Sequence, residues 1–253
     1  MAGKKSTRVN SRTLVPIFSK RSQLTRFRFA VILPLLLMIP FFGSAGRADE
    51  LTKLWQILPG DRPYMTTGNT ERGLAFNPVT TNLIVVSRAG TLSALVLDAA
   101  TGAELRTLNV DDIAGGTFAL NMIGATDDGV LYGANLSTSP TAPNFKLYRW
   151  ANDKAETIPV VAFEGDPAGV DATSGASKNP QRWGDSFDVR GSGTNTMIVA
   201  ASRASSAVAV FTTTDGMTFT PHLFTNVTPA AGSLGVAFGE GNTLWTLFPI
   251  LFL

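Results

Sequence analysis

The sequence predicts an all-β fold made of small antiparallel sheets in series. Three observations carry that prediction. Short apolar runs recur, bounded by turn residues such as Asn77-Pro78 and Asp127-Asp128-Gly129. The second-strand positions Ile84, Leu131, Ile198 and Trp245 stand 47, 67 and 47 residues apart, which is one period with a single insertion. Composition agrees, since 44% hydrophobic residues with 24 glycines and 14 prolines in 253 residues suits a turn-rich β protein with a core.

The first copy of the unit runs from Arg72 to Val110. Leu74–Phe76 is a short strand stopped by Asn77-Pro78, because proline fixes φ and lacks a ladder donor. Leu83–Val86 is apolar without alternation, as a strand buried on both faces should be. Ser87–Gly90 turns the chain into Leu92–Leu97, and Asp98–Gly102 turns it again, with Gly102 free to take positive φ. The more polar Glu104–Val110 fits an outer strand. The second copy reads Asn121–Gly124, Val130–Ala134, Phe145–Trp150 and Thr157–Phe163. The third reads Ser186–Arg190, Met197–Ala201, Ala207–Thr212 and Met217–Phe224. A fourth copy, Ser233–Phe238 and Thr243–Leu247, stops after two strands. The polar, aperiodic Glu164–Gln181 accounts for the longer interval. Wording also repeats: Ser87-Arg88-Ala89 and Ser202-Arg203-Ala204 close the second strands of copies one and three, with Asn135 in the same place in copy two.

Four antiparallel strands in about 40 residues is the size of one propeller blade. The stretch VVSRAGTLSALVLDAATGAELRTL resembles the blade wording of the YVTN and quinoprotein-like β-propellers, in which a strand ending in Asp-x-x-Thr-Gly leads into a polar outer strand. RGLAFNPVTTNLIVVSR and TFALNMIGATDDGVLYGANL also resemble uncharacterised exported bacterial proteins of that architecture. The resemblance spans about Leu51–Leu247 and implies fold rather than reaction, since propellers host many functions. It implies a partial, truncated propeller of about three complete four-stranded blades plus part of a fourth. Residues 49–247 are expected to form this incomplete domain, and the apolar 248–253 (FPILFL) an aberrant tail. Leu51–Leu58 looks like the outer strand that a closing blade borrows from the N-terminus.

Residues 1–48 are expected to be a signal peptide with a signal helix. A basic leader precedes Phe29–Phe42, 14 apolar residues, against the about 20 that a membrane span needs. Small residues at Gly43–Ala48 then offer cleavage before Asp49. Export to a periplasmic or extracellular space is the expectation, an uncleaved N-terminal anchor the alternative and the only route to a membrane. The leader carries nine of the 21 Lys and Arg and no acid, so 12 basic residues face 19 acidic ones from Asp49 onward. That balance argues against nucleic acid as a partner. The absence of cysteine excludes disulfides, thiolate zinc sites and a cysteine nucleophile.

Candidate chemistry is sparse. His222 is the sole histidine, on an outer strand, so no triad or histidine metal site is expected. Thr213–Phe219 resembles the Asp-box hairpin of sialidase-type propellers, which would give Asp215 a turn-stabilising role. Asp111-Asp112, Asp127-Asp128, Glu164, Asp166 and Asp171 lack calcium-loop spacing, and Gly191-Ser192-Gly193 lacks the lysine of a phosphate loop. The starts of the innermost strands are the best ligand-binding candidates: Arg72, Asn121, Arg182 with Trp183 and Asp185, and Ser233. In a propeller these ring one mouth of the central channel, where mixed charge suits a small anionic or sugar-like ligand. No catalytic residue or metal ligand is assigned, and the cofactor is unknown. A non-catalytic binding or scaffold module for a small-molecule, glycan or protein ligand is expected. The alternative is a propeller enzyme (lactonase-like hydrolase, lyase or quinoprotein-type dehydrogenase).

Overall fold

The computed structural model describes residues 52–138, 144–169, 173–174, 182–203, 205–225, 235–241 and 243–247. The signal segment, the apolar tail, Ser233 and most of the insertion lie outside the described residues. Among those described, no helix is long and apolar enough to cross a membrane.

The chain folds into four antiparallel sheets in strict sequence order. The first is β1 (Glu71–Asn77), β2 (Asn82–Ser87), β3 (Ser93–Asp98) and β4 (Glu104–Thr107). The second is β5 (Phe118–Ala125), β6 (Leu131–Leu136), β7 (Phe145–Trp150) and β8 (Val160–Gly165). The third is β9 (Ser186–Arg190), β10 (Met197–Ala201), β11 (Val208–Thr212) and β12 (Thr220–Phe224). The fourth pairs β13 (Gly235–Phe238) with β14 (Leu244–Leu247). Ile84, Leu131, Ile198 and Trp245 all fall on second strands, as the spacing requires, each opposite a first-strand residue: Ala75, Ala125, Val189 and Ala237.

Consecutive sheets stack through their first strands, and small residues set the approach. A Cβ on Gly73 in β1 would lie 2.9 Å from the Ile123 nitrogen in β5, and one on Gly124 would strike Val189 of β9. Between sheets one and two the core holds Ile84, Val96, Leu120, Leu131 and Trp150. Between two and three it holds Tyr132, Phe145, Trp183, Ile198 and Phe211. Burying each such side chain contributes roughly 1.5–3 kcal/mol, which explains the unalternating second strands of the first three sheets, whose two faces are covered; β14, with Trp245 68% exposed, is not. Two aromatic polar ends are satisfied, Trp150 Nε1 donating to the Asn109 carbonyl at 2.8 Å and Tyr132 Oη to that of Gly216 at 3.0 Å, whereas Trp183 Nε1 is buried with no partner among the described residues.

Turns at one end of the stack are tied in series. Asn77 Nδ2 donates to the Gly129 carbonyl at 3.2 Å, the Asp127 amide to Gly191 at 2.9 Å, and Arg190 Nη1 to Gly239 and Gly241 at 3.1 and 2.8 Å. Asp153 fastens sheet two to sheet one. Its buried carboxylate accepts from Thr80 Oγ1 at 2.6 Å, Asn82 Nδ2 at 2.7 Å and Arg106 Nη2 at 3.0 Å. Burial raises the pKa of Asp153, but the hydrogen bonds from Thr80, Asn82 and Arg106 outweigh it and hold the group below its ordinary value.

Two expectations need correction. Residues 52–58 form no strand; they lie as a strap over the outer face of sheet one. Trp55 Nε1 donates to the Ala99 carbonyl at 2.9 Å, its ring sits on Gly102, and Ile57 joins Leu83, Val85 and Leu97. Side-chain anchoring, not ladder pairing, holds this segment. The outer strand β4 is also shorter than Glu104–Val110, because after Thr107 the chain leaves the ladder and buries Leu108 and Ile113 in the core.

Candidate functional site

Sequence repetition brings residues 72 to 203 together at one end of the stack. Arg72 and Asn121 occupy equivalent irregularities. In β1 the register slips between Glu71 and Leu74, and in β5 between Phe118 and Met122, so each residue sits where its strand departs from the ladder. Such bulges re-aim side chains. In sheet three the same place is taken by Asp185, immediately before β9.

Asp185 is held by a cross-sheet device. Ser137 and Trp183 exchange backbone hydrogen bonds, both 2.9 Å. Gly184 then turns with φ +95°, and a Cβ there would lie 1.9 Å from the Asn135 carbonyl oxygen. Only glycine fits. The Gly184 carbonyl accepts from Asn121 Nδ2 at 2.7 Å. The result is a carboxylate whose side chain is only 2% exposed.

Around it lies a cavity of about 210 Å³ lined by four arginines. Arg182 grips Asp185 with two hydrogen bonds, Nε to Oδ2 at 2.5 Å and Nη2 to Oδ1 at 2.8 Å. That pair raises the Arg182 pKa. Arg72 Nη2 and Arg203 Nη1 stand farther from Oδ1, at 3.9 and 3.6 Å, attracted but beyond hydrogen-bond reach. Arg88 lies over the Phe118 ring, 3.5 Å from its centroid, donates through Nη1 to Asn121 Oδ1 at 3.1 Å, and through Nη2 to the Asn69 carbonyl at 2.5 Å. Its Nε is buried and has no partner among the described residues. Burial, then the neighbouring Arg72 charge, lower the Arg88 pKa. Glu71, next along β1, accepts from the Thr66 amide at 3.1 Å and Thr70 Oγ1 at 2.7 Å, and its negative charge favours the Arg88 cation.

Four sequence candidates thus converge: Arg72, Asn121, Arg182 and Asp185. Trp183 does not join them. Its ring enters the core between sheets two and three, 6.3 Å from that of Phe145, because its backbone bridge to Ser137 turns the side chain inward. Arg88 and Arg203 were missed, although the repeated Ser-Arg-Ala wording at the ends of two second strands was the signal for both. Asn135, third in that series, instead braces β7, accepting from the Lys146 amide at 2.9 Å and donating to the Asn144 carbonyl at 3.0 Å.

Elsewhere, His222 is exposed on β12 with Nε2 2.9 Å from Thr212 Oγ1. Asp215 organises its hairpin by accepting from the amides of Met217 and Thr218, both at 2.8 Å, and from the hydroxyls of Thr213 at 2.9 Å and Thr218 at 2.8 Å. These bonds, the Thr218 amide foremost, depress its pKa. Among the described residues no three His, Cys, Asp or Glu converge as a metal-binding group.

No model of a known protein family matches the chain, nor does any curated protein. Among solved structures, a DUF4623 family protein from Bacteroides eggerthii aligns with a TM-score of 0.51 at 18% identity. The alignment covers 70% of this chain and 40% of that one, so the chain spans about two fifths of the structure it matches. The shared property is the fold. A gluconolactonase from Xanthomonas campestris aligns with a TM-score of 0.25 at 10% identity, over 70% of this chain and 82% of that one. That likeness is too slight to carry an argument. The fold is β-rich and propeller-like.

Proposed function

We propose that this protein is an exported, non-catalytic binding module of the β-propeller type whose ligand is a small anionic molecule seated in the arginine pocket. One observation carries the reading: four guanidinium groups, drawn from sheet one and from the chain flanking sheet three, line one cavity, three of them within 4 Å of a single buried carboxylate. Like charges gathered this closely repel one another, and Asp185 neutralises one of them. A ligand anion relieves the remainder. The basic leader, the 14-residue apolar run and the small residues before Asp49 support export.

The test is thermal melting with chloride, acetate, sulfate and phosphate at matched ionic strength. A polyatomic anion is expected to raise Tm by mass action, about 2.7 kcal/mol at a hundredfold excess over Kd, with Arg203→Gln weakening the effect. A Tm that responds only to ionic strength removes the reading.

A further inference from the structure

The pocket's hydrogen-bond chemistry narrows the ligand further. The acceptors around Asp185 are each engaged. Both Asp185 oxygens take Arg182, and Asn121 Oδ1 takes Arg88. Asn121 Nδ2 is committed to Gly184. What remains is mainly donors: the guanidinium ends of Arg72 and Arg203, which make no hydrogen bond among the described residues, and the second hydrogens on Arg88 Nη1 and Nη2, with the Asn69 amide alongside. A pocket whose uncommitted groups are mostly cationic donors favours a group rich in anionic acceptors.

The three arginines also start from separate places: Arg72 from the β1 irregularity, Arg88 from the end of β2, and Arg203 from the end of β10. A carboxylate presents two oxygens in one plane, which a single arginine fork satisfies. Arginines of three separate origins match oxygens pointing in three directions. Charge agrees: four guanidiniums stand against two acids, Asp185 in the pocket and Glu71 beside it, so positive charge is in excess by two. A monoanion leaves more of that positive charge uncancelled than a dianion does. Phe118, 39% exposed beneath Arg88, gives the pocket one apolar wall for the organic part of the ligand.

We infer that the pocket recognises a tetrahedral dianion, a phosphoryl or sulfate group, with Arg72, Arg88 and Arg203 as the residues that select it. The inference rests on the proposed binding function and deepens it. The shared chemistry is that of a doubly charged, acceptor-only oxyanion, borne by a phosphate ester or supplied as sulfate.

The experiment is calorimetric titration of the purified protein with sulfate, methyl sulfate, acetate and methyl phosphate at constant ionic strength, between pH 5 and pH 8. The second ionisation of a phosphate ester lies near pH 6. Methyl phosphate affinity should therefore climb roughly tenfold over that range, while sulfate, a dianion throughout, stays level and controls for changes in the protein. Methyl sulfate and acetate should bind at least about tenfold more weakly, and Arg88→Gln and Arg203→Gln should each weaken sulfate about 10- to 100-fold, as expected for one charge-assisted contact. Arg203, the more exposed side chain, keeps the test valid if the Arg88 variant fails to fold. Comparing sulfate with methyl phosphate at pH 8 shows which source of the oxyanion is preferred. Acetate or methyl sulfate binding as tightly as sulfate would overturn the dianion inference and leave the anion pocket standing. No binding by any probe, or binding indifferent to both variants, would overturn both.

Discussion

Arg88 Nη1 donates to Asn121 Oδ1 at 3.1 Å, joining the end of β2 in the first sheet to the start of β5 in the second. The same asparagine reaches on to the Gly184 carbonyl before the third sheet. One amide thus binds three successive repeats at the pocket and fixes how far apart their charged side chains stand.

Asn121→Ala should therefore cost both stability and binding. Losing two buried hydrogen bonds, with the Gly184 carbonyl left unpaired, costs about 2–3 kcal/mol. In a domain of this size that corresponds to a fall in Tm of roughly 5–10 °C. Thermal unfolding measures it, and a variant melting like the parent would show that Asn121 is not the tie described.

Gly184→Ala and Gly90→Ala form a matched pair. Both glycines have positive φ, +95° and +70°, but nothing lies within 4 Å of a Cβ at Gly90, whereas at Gly184 the Asn135 oxygen would be 1.9 Å away. Gly90→Ala should cost about 1–2 kcal/mol from backbone conformation alone. Gly184→Ala should cost more than about 3 kcal/mol, since main chain must move as well. Chemical denaturation of the two variants checks the difference, and equal costs would refute the close approach.

Asp153→Asn should flatten the acid limb of the stability profile. The pKa of Asp153 is depressed in the folded state below its ordinary value of 3.8. The unfolded chain then binds the proton more readily, so the stability this group contributes is complete above about pH 5 and disappears as pH falls through its folded value. The parent should lose stability more steeply than the variant between about pH 5 and pH 2. Denaturation midpoints across that range decide it; parallel curves would mean that Asp153 is not a stabilising carboxylate.

Asp215→Ala should loosen one hairpin and leave the pocket intact. The carboxylate accepts the amides of Met217 and Thr218, so hydrogen exchange at those two amides should speed up while sulfate binding is unchanged. A loss of sulfate binding would show that this hairpin has a role in the site.

Much of the architecture was legible because strands are written locally. Runs such as Leu83–Val86 and Met197–Ala201 carry their own length, burial and turn boundaries within a few residues. The strap at 52–58 was misread for the same reason: LTKLWQIL has strand-like composition, and only the docking of Trp55 on Gly102 shows that it is held by side chains. Arg72, Asn121, Arg182 and Asp185 were found by asking where first strands begin. Arg88 and Arg203 were visible as repeated wording but had no place to go until the stacking was known.

The sequence alone determined that there would be sheets in series and where the inner strands would lie, because alternation, glycine and proline act over short spans. Tertiary structure alone decided that four arginines from positions 72 to 203 would share one cavity with a buried aspartate. That outcome depends on how closely Gly73 and Gly124 let neighbouring sheets approach, and on two register slips that no local pattern encodes.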